Sequence, residues 1–338
     1  MQTTLTVGLF FADSQYDTAR IRDQLTPHHV EHFPNWAEWE AEELLSHLRA
    51  CDVAVTGRRS PALPSELAGD LGRLRLLAHN HGTVKHLASR QHLEAGLRVV
   101  NWGDNVSGVA ESALALLLAS LKQLHGLDTF VRSDWSEDQR VFMDYPGTLH
   151  KRDVGLYGFG PIGRHMARML EPFGPQIHIF DPFATDIPAH IQRHQSLEDL
   201  FSSCQCISIH CGLNDGTRAS VDRSLMERLP QGGVIVNTAR GPIIVEADLA
   251  ALVAEGRIIA AVDVIENERA WAQSALAAQP SSRVLLTGHK VGGSKGADPS
   301  QPRPKAGLPA HTVENILALG SNKPLSHEIT AEIYDLKT

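Results

Sequence analysis

The sequence predicts an α/β chain built from two doubly wound parallel-sheet domains. Three observations carry that reading. Residues 5–101 alternate short apolar runs of strand length with amphipathic runs of helix length, the pattern of repeated strand–helix units. Residues 153–181, DVGLYGFGPIGRHMARMLEPFGPQIHIFD, read as strand, glycine turn, helix, strand and acid. From residue 196 to 287 the alternation resumes, with charged side chains at successive strand ends. At 338 residues the chain has length for about two domains with separate cores. The expected boundaries are 1–103 with 311–338 for the first domain, 104–293 for the second, and a Gly/Pro-rich connecting segment at 294–310.

In the first half, strands are expected at 5–11, 30–33, 52–56, 74–78 and 97–101, and helices at 18–25, 38–50, 64–71 and 86–95. Pro27 and Gly96 act as helix stops. Residues 57–61, GRRSP, make a turn in which Arg58 and Arg59 read as solvated, with a phosphate or second carboxylate as the alternative. The Ala/Leu-rich stretch 106–125 predicts a helix that fits a buried core or a subunit interface equally. Residues 127–146 read as a more polar connection. Beyond 181, helices are expected at 196–201, 222–229 and 246–255, and strands at 206–210, 234–238, 258–264 and 283–287. Residues 292–310 read as loop, 311–319 as helix.

Composition excludes several classes. A net charge of −8, from 31 basic and 39 acidic side chains, disfavours nucleic acid or an anionic membrane surface as partner. No apolar run approaches the roughly 18 residues of a membrane span, and the N-terminus reads as a strand. Cys51, Cys204, Cys206 and Cys211 lack a zinc spacing, so no metal is expected and free thiols in a reducing cytoplasm is the reading.

The 153–181 segment carries a specific chemistry. Gly158, Gly160 and Gly163 stand in GxGxxG spacing, with Pro161 and Ile162 opening the helix. A pyrophosphate needs close backbone N–H donors and the positive end of a helix dipole. A β-carbon at the first two glycines would crowd the turn or the phosphates; one at the third would push the helix off the sheet. Asp181, 18 residues after Gly163, can accept from the adenosine ribose hydroxyls. Pro182 and Phe183 follow it and no Arg or Lys stands beside it, so NAD is expected over NADP.

Charged residues then cluster at predicted strand ends. Reduction of a keto acid beside a nicotinamide needs a cation for the carboxylate, a proton donor for the carbonyl oxygen, and a group that orients the donor. Arg240 can be the bidentate, permanently charged clamp. His289 can be the acid/base, since imidazole titrates near neutrality. Glu268 can fix its tautomer, and Asp263 can accept from the nicotinamide amide or support the pair. Each alone has a plainer reading: a carbonyl clamp, a surface histidine, a solvated acid. Their common placement after the glycine fingerprint raises the set above those readings.

These motifs resemble the D-isomer-specific 2-hydroxyacid dehydrogenase family. GFGPIG, VNTARG around Thr238 and Arg240, AVDVIENE around Asp263 and Glu268, TGHKVGG around His289 and the closing NKPL carry the resemblance, from about residue 74 to 325. It implies a Rossmann-type NAD-binding domain and a flavodoxin-like substrate domain with an active-site cleft between them. Arg240 would grip substrate, His289 act as general acid/base and Glu268 partner it. The C-terminal tail would cross back to complete the first domain, and many members are homodimers through the region of 109–121. The family's substrate loop, usually SxGxDNxD, is here Asn80 to Leu87, keeping Gly82 for backbone contacts with a carboxylate and adding His81 as a substrate-binding candidate. Gly288 replaces a usual Pro, Glu268 lacks a following Pro, and Pro299, Pro302, Pro304 and Pro309 interrupt a usual helix. The expected function is reversible, NAD-dependent reduction of a small 2-keto acid, of glyoxylate, hydroxypyruvate or phosphoglycerate type, to its D-2-hydroxy acid. The alternatives are an NAD(H)-sensing corepressor-like protein, an inert relative and a phosphite dehydrogenase-like enzyme.

Overall fold

The computed structural model describes residues 3–11, 16–57, 59–103, 106–133, 147–292 and 307–336. The chain forms two compact units, Met1–Asn105 with Lys295–Thr338, and Val106–Ser294.

The first unit is a sheet of six strands. β1 (Thr6–Phe10), β2 (His29–His32), β3 (Val53–Thr56), β4 (Leu76–His79) and β5 (Arg98–Val100) run parallel in the order β2-β1-β3-β4-β5. This is the flavodoxin-like winding. The last strand of the chain, β13 (Glu328–Ile329), pairs antiparallel with β5, so the NKPLSHEI tail does complete this sheet. The first strand alternates between two cores: Leu5, Val7, Leu9 and Phe11 enter one, Phe10 the other. That is why a sheet covered on both faces reads as a continuous apolar run.

The second unit is a seven-stranded parallel sheet. β6 (Asp153–Tyr157), β7 (Gln176–Phe180), β8 (Gln192–Arg193), β9 (Cys206–Ile209), β10 (Gly233–Asn237), β11 (Ile258–Val262) and β12 (Val284–Leu286) lie in the order β12-β11-β10-β9-β6-β7-β8. Strand order reverses between β6 and β9, the switch point at whose carboxyl edge ligands bind in open α/β sheets. The long apolar helix Ser107–Leu121 buries Ala110, Ala113, Leu116, Leu117 and Leu121 in the core of this unit. The helix Pro161–Leu170 buries Gly163, Met166, Ala167 and Leu170, an i, i+3, i+4, i+7 face, while Ile162 and Met169 are half-buried. No helix among the described residues is long and apolar enough to cross a membrane.

Several expected elements differ. The expected helix 64–71 is a single 3₁₀ turn, Ser65–Ala68, because Pro64 precedes it and Gly69 ends it. The expected helix 86–95 shortens to Arg90–Glu94, started by a capping box at Ser89 and His92. The polar connection expected at 127–146 overlaps a helix, Leu124–Ser133, whose Leu124 and Val131 are exposed; residues 134–146 lie outside the described residues, as do 293–306 of the Pro-rich segment. Strands β8 and β13 are not expected from the sequence. Each has two residues, too few to carry a period.

Candidate active site

The glycine turn between β6 and the helix Pro161–Leu170 is built to admit a dinucleotide. Gly158 has φ +102°, and a β-carbon there would lie 2.5 Å from the backbone nitrogen of Cys211, just past β9. A β-carbon on Gly163 would meet the carbonyl oxygen of Gly158 at 2.3 Å. At Gly160 a β-carbon would meet no described atom within 4 Å. Two glycines thus close the turn, and the third keeps its outer face open. Pro161 stands at the first helical position, where its missing N–H costs nothing. Gly160 offers no side-chain cap, so first-turn N–H groups such as that of Ile162 face outward for an anion. Asp181 follows β7; its Oδ2 accepts the Phe159 N–H at 2.7 Å and its Oδ1 the Phe183 N–H at 2.8 Å. Thr238 is buried, and among the described residues its hydroxyl has no hydrogen-bond partner. These residues fit an NAD molecule laid across the switch point.

Arg240, Glu268 and His289 follow β10, β11 and β12 in turn. His289 Nδ1 and Glu268 Oε2 are 2.7 Å apart. Burial lowers the Arg240 guanidinium pKa from its ordinary value, and the charge of Glu268 opposes that shift. Arg240 Nη1 donates to the Ala239 carbonyl at 2.6 Å, and Asn237 holds the same turn, donating from Nδ2 to the Arg240 carbonyl at 3.0 Å. His289 and Glu268 are thus in direct contact, and the charge of Glu268 acts on the Arg240 guanidinium.

Asp263 is buried, and its bonds go to the turn that carries the histidine. Its Oδ1 accepts from Thr287 Oγ1 at 2.7 Å and from the Lys290 N–H at 3.0 Å. Its carbonyl accepts the His289 N–H at 2.6 Å. Gly288 and His289 both sit in left-handed backbone, φ +63° and +56°. Proline is locked near −65° and cannot occupy such a position, which explains the glycine where the family usually has proline. Strain at His289 is of the kind functional residues carry.

His81 and Gly82 belong to the first unit. Gly82 lies against the ring of Trp102, where a β-carbon would approach to 2.8 Å. Its carbonyl accepts from Asn101 Nδ2 at 2.6 Å, and the His81 carbonyl accepts the Trp102 N–H at 3.2 Å. Of the arginine pair in the 57–61 turn, Arg59 is exposed; Arg58 lies outside the described residues.

Four side chains escaped sequence reasoning. Asn237 and Thr287 shape the Arg240 and His289 turns; an Asn just before TARG was the available signal. His210 is buried where β9 ends, beside Gly158, and among the described residues neither ring nitrogen has a hydrogen-bond partner. The fourth overturns the expectation that no cation stands near Asp181. Arg193 Nη2 donates to the carbonyls of Asp181 and Pro182 at 3.0 and 3.3 Å. It arrives through the parallel pairing of β7 with β8, which no local motif announces. Among the described residues no His/Cys/Asp/Glu group could hold a metal ion.

A Rossmann sheet with this glycine turn and acid defines a dinucleotide-binding protein. The family model for the NAD binding domain of D-isomer specific 2-hydroxyacid dehydrogenases matches residues 114–290. The glyoxylate/hydroxypyruvate reductase A of Arabidopsis thaliana is 30% identical over 237 residues, 69% of this chain and 74% of that protein. The hydroxypyruvate reductase of Thermotoga maritima is 29% identical, covering 68% and 74%. Among solved structures, the PH0520 protein of Pyrococcus horikoshii superposes with TM-score 0.78 at 17% identity, covering 98% of this chain and 96% of that one. The chain belongs to the D-isomer specific 2-hydroxyacid dehydrogenase family, and is an NAD-dependent oxidoreductase of 2-hydroxy acids.

Proposed function

We propose that this enzyme reduces a small 2-keto acid of the glyoxylate or hydroxypyruvate type to the D-2-hydroxy acid, reversibly, with Arg240, Glu268 and His289 as its working residues. The observation that carries this is the 2.7 Å contact of His289 with Glu268, whose charge also acts on Arg240, with the three residues following three successive strands of the NAD-binding sheet. Gly158, Gly160, Pro161, Ile162, Gly163, Asp181 and Thr238 hold the cofactor. Bound there, the nicotinamide cofactor would supply or accept the hydride of the carbon that bears the oxygen.

Arg240 pairs with the substrate carboxylate; a planar guanidinium offers two parallel donors to it. With Nδ1–H directed at Glu268, the Nε2 atom of His289 is left for the substrate. In reduction, Nε2–H of the imidazolium protonates the forming alkoxide. In oxidation, the neutral Nε2 takes the hydroxyl proton and Glu268 balances the resulting charge. Asp263 is a positioning residue through the turn 287–290. Gly82 and His81 supply the substrate contacts of the first unit.

The relatives named glyoxylate/hydroxypyruvate reductases support the substrate class, and phosphoglycerate is a further candidate through a relative of that name. The enzyme works in the cytoplasm, a reading supported by four free cysteines, and as a homodimer, supported by exposed Leu124 and Val131 on the helix Leu124–Ser133. The test is NADH oxidation at 340 nm with glyoxylate, hydroxypyruvate, 3-phosphohydroxypyruvate, pyruvate and phenylpyruvate. Turnover of the first two above the rest is expected. Faster turnover of phenylpyruvate or of the phosphorylated acid would replace the substrate class.

A further inference from the structure

The loop between β4 and the helix Arg90–Glu94 departs from the SxGxDNxD pattern at its polar positions. Laid on Asn80 to Leu87, the pattern puts Val84 and Leu87 where the acids would stand and Lys85 where the Asn would stand. Val84 and Leu87 are 1% and 2% exposed. Their side chains have no polar atom with which to hold a loop backbone. The start of the loop is held from β5: Asn101 Nδ2 and the Trp102 N–H donate to the Gly82 and His81 carbonyls.

The rest of the loop is held from the far end of the chain. The turn Tyr334–Leu336 reaches it after some 250 residues. Tyr334 is buried in one apolar cluster with Val84, Leu87 and Ala88, and its hydroxyl donates to the Ala88 carbonyl at 2.6 Å. Lys85 Nζ donates to the Asp335 carbonyl at 3.0 Å. Arg90 Nη2 pairs with Asp335 Oδ2 at 2.5 Å. The two apolar replacements thus form the seat for Tyr334, and the lysine replacement reaches the next residue. The tail is brought there by the pairing of β13 with β5, where Arg98 Nε and Nη2 donate to Glu328 at 2.8 and 2.6 Å.

We propose that Tyr334 and Asp335 are positioning residues for the reaction: they hold the loop that carries His81 and Gly82 in its substrate-binding form, and so set the affinity for the keto acid. The proposal rests on the reading of His81 and Gly82 as substrate contacts. One hydrogen bond contributes modestly and an exposed ion pair less. A loop held by a few such contacts opens at low cost. Apparent affinity then falls by the fraction of time the loop spends out of its binding form. The chemical groups of the reaction are elsewhere, so the effect falls on KM and not on kcat.

The experiment compares Tyr334→Phe, Asp335→Ala and the double variant of the full chain with wild type. Steady-state kinetics with hydroxypyruvate and glyoxylate, NADH titration, melting temperature and amide hydrogen exchange of residues 84–88 are the readouts. Glu328→Gln is the control, since it weakens the same tail at a pair that does not touch the loop. The double variant should raise KM about three- to tenfold, each single variant less, with kcat and NADH affinity within about twofold and faster exchange at 84–88. Glu328→Gln should lower the melting temperature and leave KM in place. An unchanged KM in the double variant overturns the proposal, whether or not exchange quickens. An equal rise of KM in Glu328→Gln overturns it too, because the tail would then act only through stability. Wild type that turns over neither acid removes the proposed function, and the proposal with it, before any variant is compared.

Discussion

Two buried histidines make each unit sensitive to acid. Burial pushes the His210 imidazole down to about 4. His79 is pushed down to about 3, by burial first and then by the neighbouring His81 and His86. Both values lie below the roughly 6.5 of an unfolded imidazole. The unfolded chain therefore binds more protons below that pH, so the stability these groups contribute is present above about 6.5 and is lost as pH falls. At pH 5 an unfolded histidine has gained about 2 kcal/mol by protonation, while the folded groups remain essentially neutral. Each unit holds one of the pair, so each should lose about 2 kcal/mol between pH 7.5 and 5.0 from this cause alone. His28, His86, His194 and His311 are shifted in the same direction and add to the loss. The assay is urea unfolding at the two pH values, on wild type and on His210→Gln, which cannot titrate. The variant should show a pH-dependent loss smaller by about 2 kcal/mol. An unchanged loss in the variant, or a wild type as stable at pH 5.0 as at 7.5, would refute the argument that burial keeps His210 neutral.

The site makes three further predictions. His289→Ala should lower turnover by about two to four powers of ten with NADH affinity nearly intact; a parallel loss of NADH binding in titration would mark the residue as structural. Arg240→Lys keeps the charge but loses the fork, so KM for the keto acid should rise about tenfold or more; unchanged steady-state kinetics would exclude the carboxylate clamp. Gly163→Ala drives a methyl against the Gly158 carbonyl. It should cost about 1–3 kcal/mol of stability and weaken NADH, whereas unaltered melting and binding would mean the turn is softer than its geometry implies.

Much of the site was legible from residues alone. The order strand, glycines, helix, strand, acid is short-range information, and the strand-end positions of Arg240, Glu268 and His289 follow from counting βα units. Asp263 was legible as a site residue, but its bonds to Thr287 and Lys290 were not, because they span a crossover of 24 to 27 residues. The Gly288 substitution was visible as a departure, and only its φ of +63° explains it.

By itself, then, the sequence determined the two α/β sheets, the cofactor turn and the identities of the chemical groups. Apolar period, glycine spacing and chain order are properties of neighbouring residues. The tertiary structure alone decided which distant groups meet: β13 closing the first sheet, His194 on His178 on Asp153, and Arg193 beside Asp181. Those meetings depend on strand order and register, and a two-residue strand has no periodicity of its own from which its neighbour can be read.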